Sequence, residues 1–163
     1  GGSNRCEAVL ANVPLNAHLS FTISPGAGVR AYGLRLRTDT GGSEATDLIF
    51  SPGERAVLFT KRTESSMKVS NSLSMLHKVM GLDKPSHINI LFYHDMIDVE
   101  ISSERTLINR FWNPVGDNVR FWVEGGEVTF SDITLRPVTE QPPTFQPHQQ
   151  KIVQAGPVAP DRP

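Results

Sequence analysis

The sequence predicts an all-β fold, a two-sheet antiparallel β-sandwich of the concanavalin or jelly-roll type. Three observations carry that prediction. The stretch from His94 to Pro137 is a series of short segments that alternate apolar and polar residues: Ile97, Val99 and Ile101 against Asp98, Glu100 and Ser102, then Val119, Phe121 and Val123 against Arg120, Trp122 and Glu124. Clusters of turn formers cut the rest of the chain at short intervals. Finally, the 163 residues shrink to roughly 130 once both ends are set aside, a length at which a sandwich buries about two-thirds of its unfolded surface.

Residues 4–137 are read as the sandwich domain. Gly1-Gly2-Ser3 reads as a cloning scar. The first strand is expected at Ala17 to Ser24, ended by Pro25-Gly26-Ala27-Gly28. A second covers Val29 to Thr38, with Tyr32, Leu34 and Leu36 on a core face and Arg35 and Arg37 on a solvated one. After the turn Asp39-Thr40-Gly41-Gly42, the segments Thr46 to Ser51 and Arg55 to Lys61 flank Pro52-Gly53 as a hairpin.

From Arg62 to Pro85 serines dilute the apolar residues and the period of two is lost. Leu73, Leu76 and Met80 lie at helical spacing, so the region is expected to hold either a short helix over about 72–80, closed by Gly81, or a loop that packs a few apolar anchors onto the sandwich. Strands resume at Ser86 to Tyr93. Gly125-Gly126 supplies the positive φ angles of a tight hairpin, and Val128, Phe130, Ile133 and Leu135 continue past a bulge at Ser131-Asp132. Seven of twelve prolines fall between Pro137 and Pro163, so 138–163 is expected to be a Pro-rich disordered tail or linker.

Seventeen acidic residues against sixteen basic ones give a net charge of −1, without the concentrated basic surface that nucleic acid or an anionic membrane favours. No apolar run approaches the roughly 18 residues of a membrane span. The lone Cys6 cannot form an internal disulfide, and five histidines are scattered without ligand spacing. Neither a cofactor nor a metal is expected.

Carbohydrate is held by an aromatic ring against the apolar face of the sugar, together with planar polar side chains. Trp122, sharing its parity with Arg120 and Glu124, is the best candidate for an exposed ring, and Trp112 with Arg110 is the second. A retaining glycosidase needs two carboxyl groups about 5 Å apart. Asp98 and Glu100 are neighbours on one solvated strand face nearly 7 Å apart by the rise of a strand, so they read as a polar face rather than catalysts.

Gly33-Leu34-Arg35-Leu36-Arg37, Glu44-Ala45-Thr46, Asp95, Val99-Glu100-Ile101 and Gly125-Gly126 occur in the order and approximate spacing of a known pattern. Over roughly Ala17 to Arg136 the chain resembles the C-terminal β-sandwich module of family-32 glycoside hydrolases, the invertases, inulinases and levanases. Lys61-Arg62-Thr63 stands where that family has Asp-Arg-Ser, and Ile101 replaces a phenylalanine. The motifs of the family's catalytic propeller are absent from this sequence.

The resemblance implies a noncatalytic accessory module that stabilises an adjacent catalytic domain and contacts carbohydrate. It also implies an extracellular setting, although no signal peptide, disulfide or glycosylation sequon is visible. Two alternatives stand beside it: an enzyme or pseudo-enzyme with a pocket near the Ser-rich insertion, and an interaction module that dimerises through a sheet edge.

Overall fold

In the computed structural model, residues 5–41, 45–62, 72–110 and 116–139 are described. Outside them lie the expectations for residues 1–3, for most of the Ser-rich insertion, for Trp112 and for the tail beyond 139, as does the side chain of Cys6.

The described residues form strands β1 (Arg5–Leu10), β2 (Ala17–Pro25), β3 (Ala31–Thr38), β4 (Ala45–Ser51), β5 (Ala56–Arg62), β6 (Ser72–Leu76), β7 (Ser86–Tyr93), β8 (Met96–Ile101), β9 (Arg105–Arg110), β10 (Asn118–Glu124) and β11 (Val128–Pro137). They make two antiparallel sheets, in the orders β1-β10-β3-β4-β5-β6 and β11-β2-β7-β8-β9. The all-β sandwich expected from the alternation is the observed architecture.

The inward residues of both sheets meet in one core. Leu19, Phe21 and Ile23 of β2 face Tyr32, Leu34 and Leu36 of β3, with Ile88, Ile90 and Phe92 of β7 beside them, all fully buried. Phe21 and Phe121 meet edge to face at 5.3 Å between centroids, and Tyr32 stacks on Phe50 at 5.2 Å. The Tyr32 hydroxyl donates to the Leu82 carbonyl at 2.9 Å. Burial, followed by Asp83, pushes this phenol above its ordinary range.

Four expectations are corrected. Ser72–Leu76 is a strand rather than a helix: it pairs with β5, Leu76 opposite Val57 and Met75 opposite Leu58, so an open sheet edge overrides the helical spacing. Val79 and Leu82, both 2% exposed, are the apolar anchors that follow it. Gly125 and Gly126 do take positive φ, 68° and 73°, but β10 belongs to one sheet and β11 to the other, so the turn carries the chain across the sandwich and closes no hairpin. Ile133 is 44% exposed: the bulge between Ser131 and Thr134, with Asp132 at φ 53°, turns it outward.

The fourth correction concerns β3, where Arg35 and Arg37 are buried rather than solvated. Arg37 sits at φ 55° where the β3–β10 register slips, and this turns its side chain to the end of the core. Its guanidinium donates to the carbonyls of Val13 (2.7 Å), Pro14 and Leu15 (2.8 Å) and lies 4.7 Å from the Phe92 ring centre. Burial lowers its pKa, partly offset by Asp117. Arg37 thereby pins the β1–β2 connection, which is a structural role.

Candidate functional site

The outer face of the six-stranded sheet carries two rows of side chains running across the strands. In one row Val9, Arg120, Arg35, Asp47 and Thr60 stand opposite one another on β1, β10, β3, β4 and β5. In the next, one pleat along, stand Glu7, Trp122, Gly33, Ile49, Leu58 and Met75. The first row is mainly polar. The second is mainly apolar past Glu7.

The charged groups are joined. Arg35 Nη1 lies 2.9 Å from Glu7 Oε1 and its Nε 3.6 Å from Asp47 Oδ1, while Arg120 Nη1 lies 3.6 Å from Glu7 Oε2. Since β10 separates β1 from β3, Arg35 must reach across a whole strand, close to 10 Å, to meet Glu7. Arg120 also donates to the Thr40 carbonyl, which draws the β3–β4 turn against the face. Farther along β10, Glu124 pairs with Arg30 at 3.2 Å.

Among the described side chains, three guanidinium groups thus meet three carboxylates. The accessible part of the face is Arg30, Glu124, Glu7 and Arg120, with side-chain exposures of 65%, 29%, 27% and 17%. Arg35 and Asp47 form a buried floor.

Trp122 is 3% exposed, and this corrects the expectation of an exposed ring. Its indole lies over Gly33 on the neighbouring strand: a Cβ there would fall on the Leu48 carbonyl oxygen and 3.1 Å from Trp122 Cζ2. The glycine leaves a shallow seat into which the ring sinks. Arg120 and Glu124 join Trp122 on this face, as their shared parity requires. Arg110 is elsewhere, on the edge strand β9 of the other sheet, paired with Asp95 at 3.2 Å.

Sequence reasoning missed Glu7, Arg35 and Asp47. A signal was present in the register: the turn after Thr38 sets Arg35 opposite Asp47, a cross-strand pair of opposite charge. For Glu7 there was none, because its partner strand is more than a hundred residues away along the chain.

The outer face of the five-stranded sheet is built differently. His18 Nε2 donates to Asn89 Oδ1 at 3.0 Å, Asn89 Nδ2 donates to Glu100 Oε1 at 3.1 Å, and Ser20 Oγ and His87 Nε2 are hydrogen-bonded at 3.1 Å. Asp98 stands opposite Leu91 and Ile108. Burial, then the Glu100 charge, raises its carboxyl pKa above the ordinary value. Among the described residues no group of three or more His, Cys, Asp or Glu side chains is placed to hold a metal ion, and no helix is long and apolar enough to cross a membrane.

No family model matches the chain, and no curated protein sequence matches it. Solved structures of similar fold include the carbohydrate-binding module CBM66 from Bacillus subtilis, with a TM-score of 0.62 at 12% identity over 83% of this chain and 84% of that one. Galectin LEC-6 from Caenorhabditis elegans gives a TM-score of 0.56 at 12% identity, covering 80% of this chain and 92% of that one. Galectin-Ib from Xenopus laevis gives 0.59 at 13% identity, covering 80% and 100%. At such identities the likeness shows a shared β-sandwich fold and nothing finer.

Proposed function

We propose that the chain is a noncatalytic module that contacts an uncharged carbohydrate through the outer face of the six-stranded sheet. As its resemblance to the C-terminal module of family-32 glycoside hydrolases implies, it serves as an accessory to an adjacent catalytic domain. The observation that carries the reading is the accessible part of the two rows: Arg120, held over the buried Arg35 and Asp47, stands one pleat from the row of Glu7 and the half-buried Ile49. A sugar ring needs both kinds of contact, planar polar groups for its hydroxyls and an apolar side chain for its C–H surface. The charged groups hold one another in place, so little ordering remains to be done on binding. Among the described side chains each guanidinium of this face is paired with a carboxylate, which suits an uncharged ligand better than an anion. The sandwich shared with a carbohydrate-binding module supports the same reading.

The test is a titration of inulin, levan, sucrose and fructose followed by NMR, with calorimetry for affinity. Shifts centred on Glu7, Arg120 and Trp122 are expected, and Arg120→Ala weakens binding by about tenfold or more, the loss of one charge-assisted hydrogen bond. Shifts confined to residues 72–80 would favour a pocket beside the Ser-rich insertion instead. Silence on the whole face at millimolar ligand sinks the proposal.

A further inference from the structure

Four strands form the lateral edges of the two sheets, β1 and β6 in one, β11 and β9 in the other. An edge strand offers unpaired amides and carbonyls to any strand that can align with it, and proteins usually blunt such edges. β11 is blunted: its register breaks between Ser131 and Thr134, and it ends at Pro137. β6 is five residues long, and its pairing with β5 is interrupted at Phe59/Thr60. β1 is regular, but a two-fold pairing centred on its outer-face Glu7 would set that carboxylate against its own copy.

β9 has none of these features. Its six residues pair with β8 without a break, and no described residue pairs with its other side. At its centre Ile108 is 56% exposed on the outer face. The direction of its backbone groups can be read from one bond: the Arg110 amide donates to Asn109 Oδ1 at 2.8 Å, so it does not point at β8. Amide directions alternate along an antiparallel strand, so Thr106 and Ile108 also aim their N–H and C=O groups outward.

We infer that β9 is a self-association edge, to which a second copy of this chain adds its own β9 antiparallel about a two-fold axis through Ile108. In that register Ile108 faces Ile108 of the other copy and exchanges two backbone hydrogen bonds with it. Thr106 faces Arg110, and Leu107 faces Asn109. Residues of one parity meet their own parity, an apolar pair lies on the axis, and no like charges are opposed. The outward amides of Thr106 and Ile108 gain acceptors, and Arg110 exchanges its Asn109 side-chain acceptor for a backbone one.

The two five-stranded sheets become one of ten strands. The axis is normal to that sheet, so both six-stranded layers lie on its same side and their outer faces open in the same direction. On the carbohydrate reading above, this makes the pair bivalent toward a polymer. The association itself does not depend on that reading.

Sedimentation velocity on the full chain, from about 1 μM to about 1 mM, reads the association; a contact of two short strands falls in the small, weak class of interfaces. The expected mass rises with concentration toward twice the 18.0 kDa of one chain. Ile108→Pro removes an outward amide that β8 does not use, so the fold should persist by circular dichroism while the chain becomes monomeric. Ile108→Lys should give the same result by opposing two charges on the axis.

If Ile108→Pro fails to fold, the lysine variant and the wild-type amides decide: exchange at Thr106 and Ile108 should slow as concentration rises. A monomer at every concentration overturns the inference, as does a dimer that survives both substitutions. A dimer that binds none of the glycans leaves this edge standing and removes the carbohydrate reading. If both hold, the wild type should bind levan polymer at least tenfold more tightly than Ile108→Lys does, with equal affinity for fructose.

Discussion

The two outer faces of the sandwich follow the same alternation yet hold their polar side chains by different means. On the six-stranded face, Arg35 is anchored between carboxylates of β1 and β4, and an indole lies beside it at 3% exposure. On the five-stranded face His18, Asn89 and Glu100 pass hydrogen bonds across β2, β7 and β8. Every partner there is at least partly open to water. Desolvated charges are strongly coupled to their partners and intolerant of loss, whereas groups that water can also satisfy are nearly independent. Polar outward residues therefore carry very different energetic weight depending on what lies beside them.

The contrast can be broken most forcefully at Arg35. Arg35→Leu leaves Glu7 and Asp47 without their shared cation and should cost roughly 3–5 kcal/mol, read as a fall in the urea midpoint at unchanged slope. Gly33→Ala pushes a methyl group into the indole and the β4 backbone and should cost about 1–3 kcal/mol, with the Trp122 fluorescence shifting to longer wavelength as the ring is lifted into water. On the other face, Asn89→Ala removes two side-chain hydrogen bonds in contact with solvent and should cost only about 1 kcal/mol in the same assay. If Asn89→Ala proved as damaging as Arg35→Leu, the distinction between the faces would fail.

The smallest effect is expected at Asp98, and it has the opposite sign. Its carboxyl pKa is held above the ordinary value by burial and then by Glu100, so the folded state prefers the protonated form. That preference stabilises the fold below the ordinary carboxyl pKa and is lost as pH rises through the raised one. Asp98→Asn should therefore raise the thermal midpoint slightly at pH 7 and leave it unchanged in acid. The measurement is a pair of melting curves at the two pH values.

How much of this was legible in the sequence follows from the range of the interactions. Strands such as Ser86–Tyr93 could be bounded to the residue, because alternation and turn chemistry are local. The outward placement of Trp122 was legible from parity, but its burial was not, since that depends on a glycine nearly ninety residues earlier being the neighbour across the sheet. The same holds for Arg35. Its parity reads as solvated until one knows that Glu7 lies two strands away. Leu73, Leu76 and Met80 show the converse failure, where a local period suggested a helix and a distant strand edge decided otherwise.

The placement of β10 and β11 has a consequence for how the chain reaches this state. β10 lies between β1 and β3, and β11 covers β2, so until residues 118–137 are made β1 has no neighbour and β3 and β2 have one each. Loops of a hundred residues or more must close late and at an entropic cost, which places the chain among slow-folding topologies of high contact order. During synthesis β1 and one side of β2 stay unpaired until nearly the whole domain has emerged. Chain termination before Asn118 would leave a six-stranded sheet with its second strand missing and the Trp122 seat on Gly33 empty.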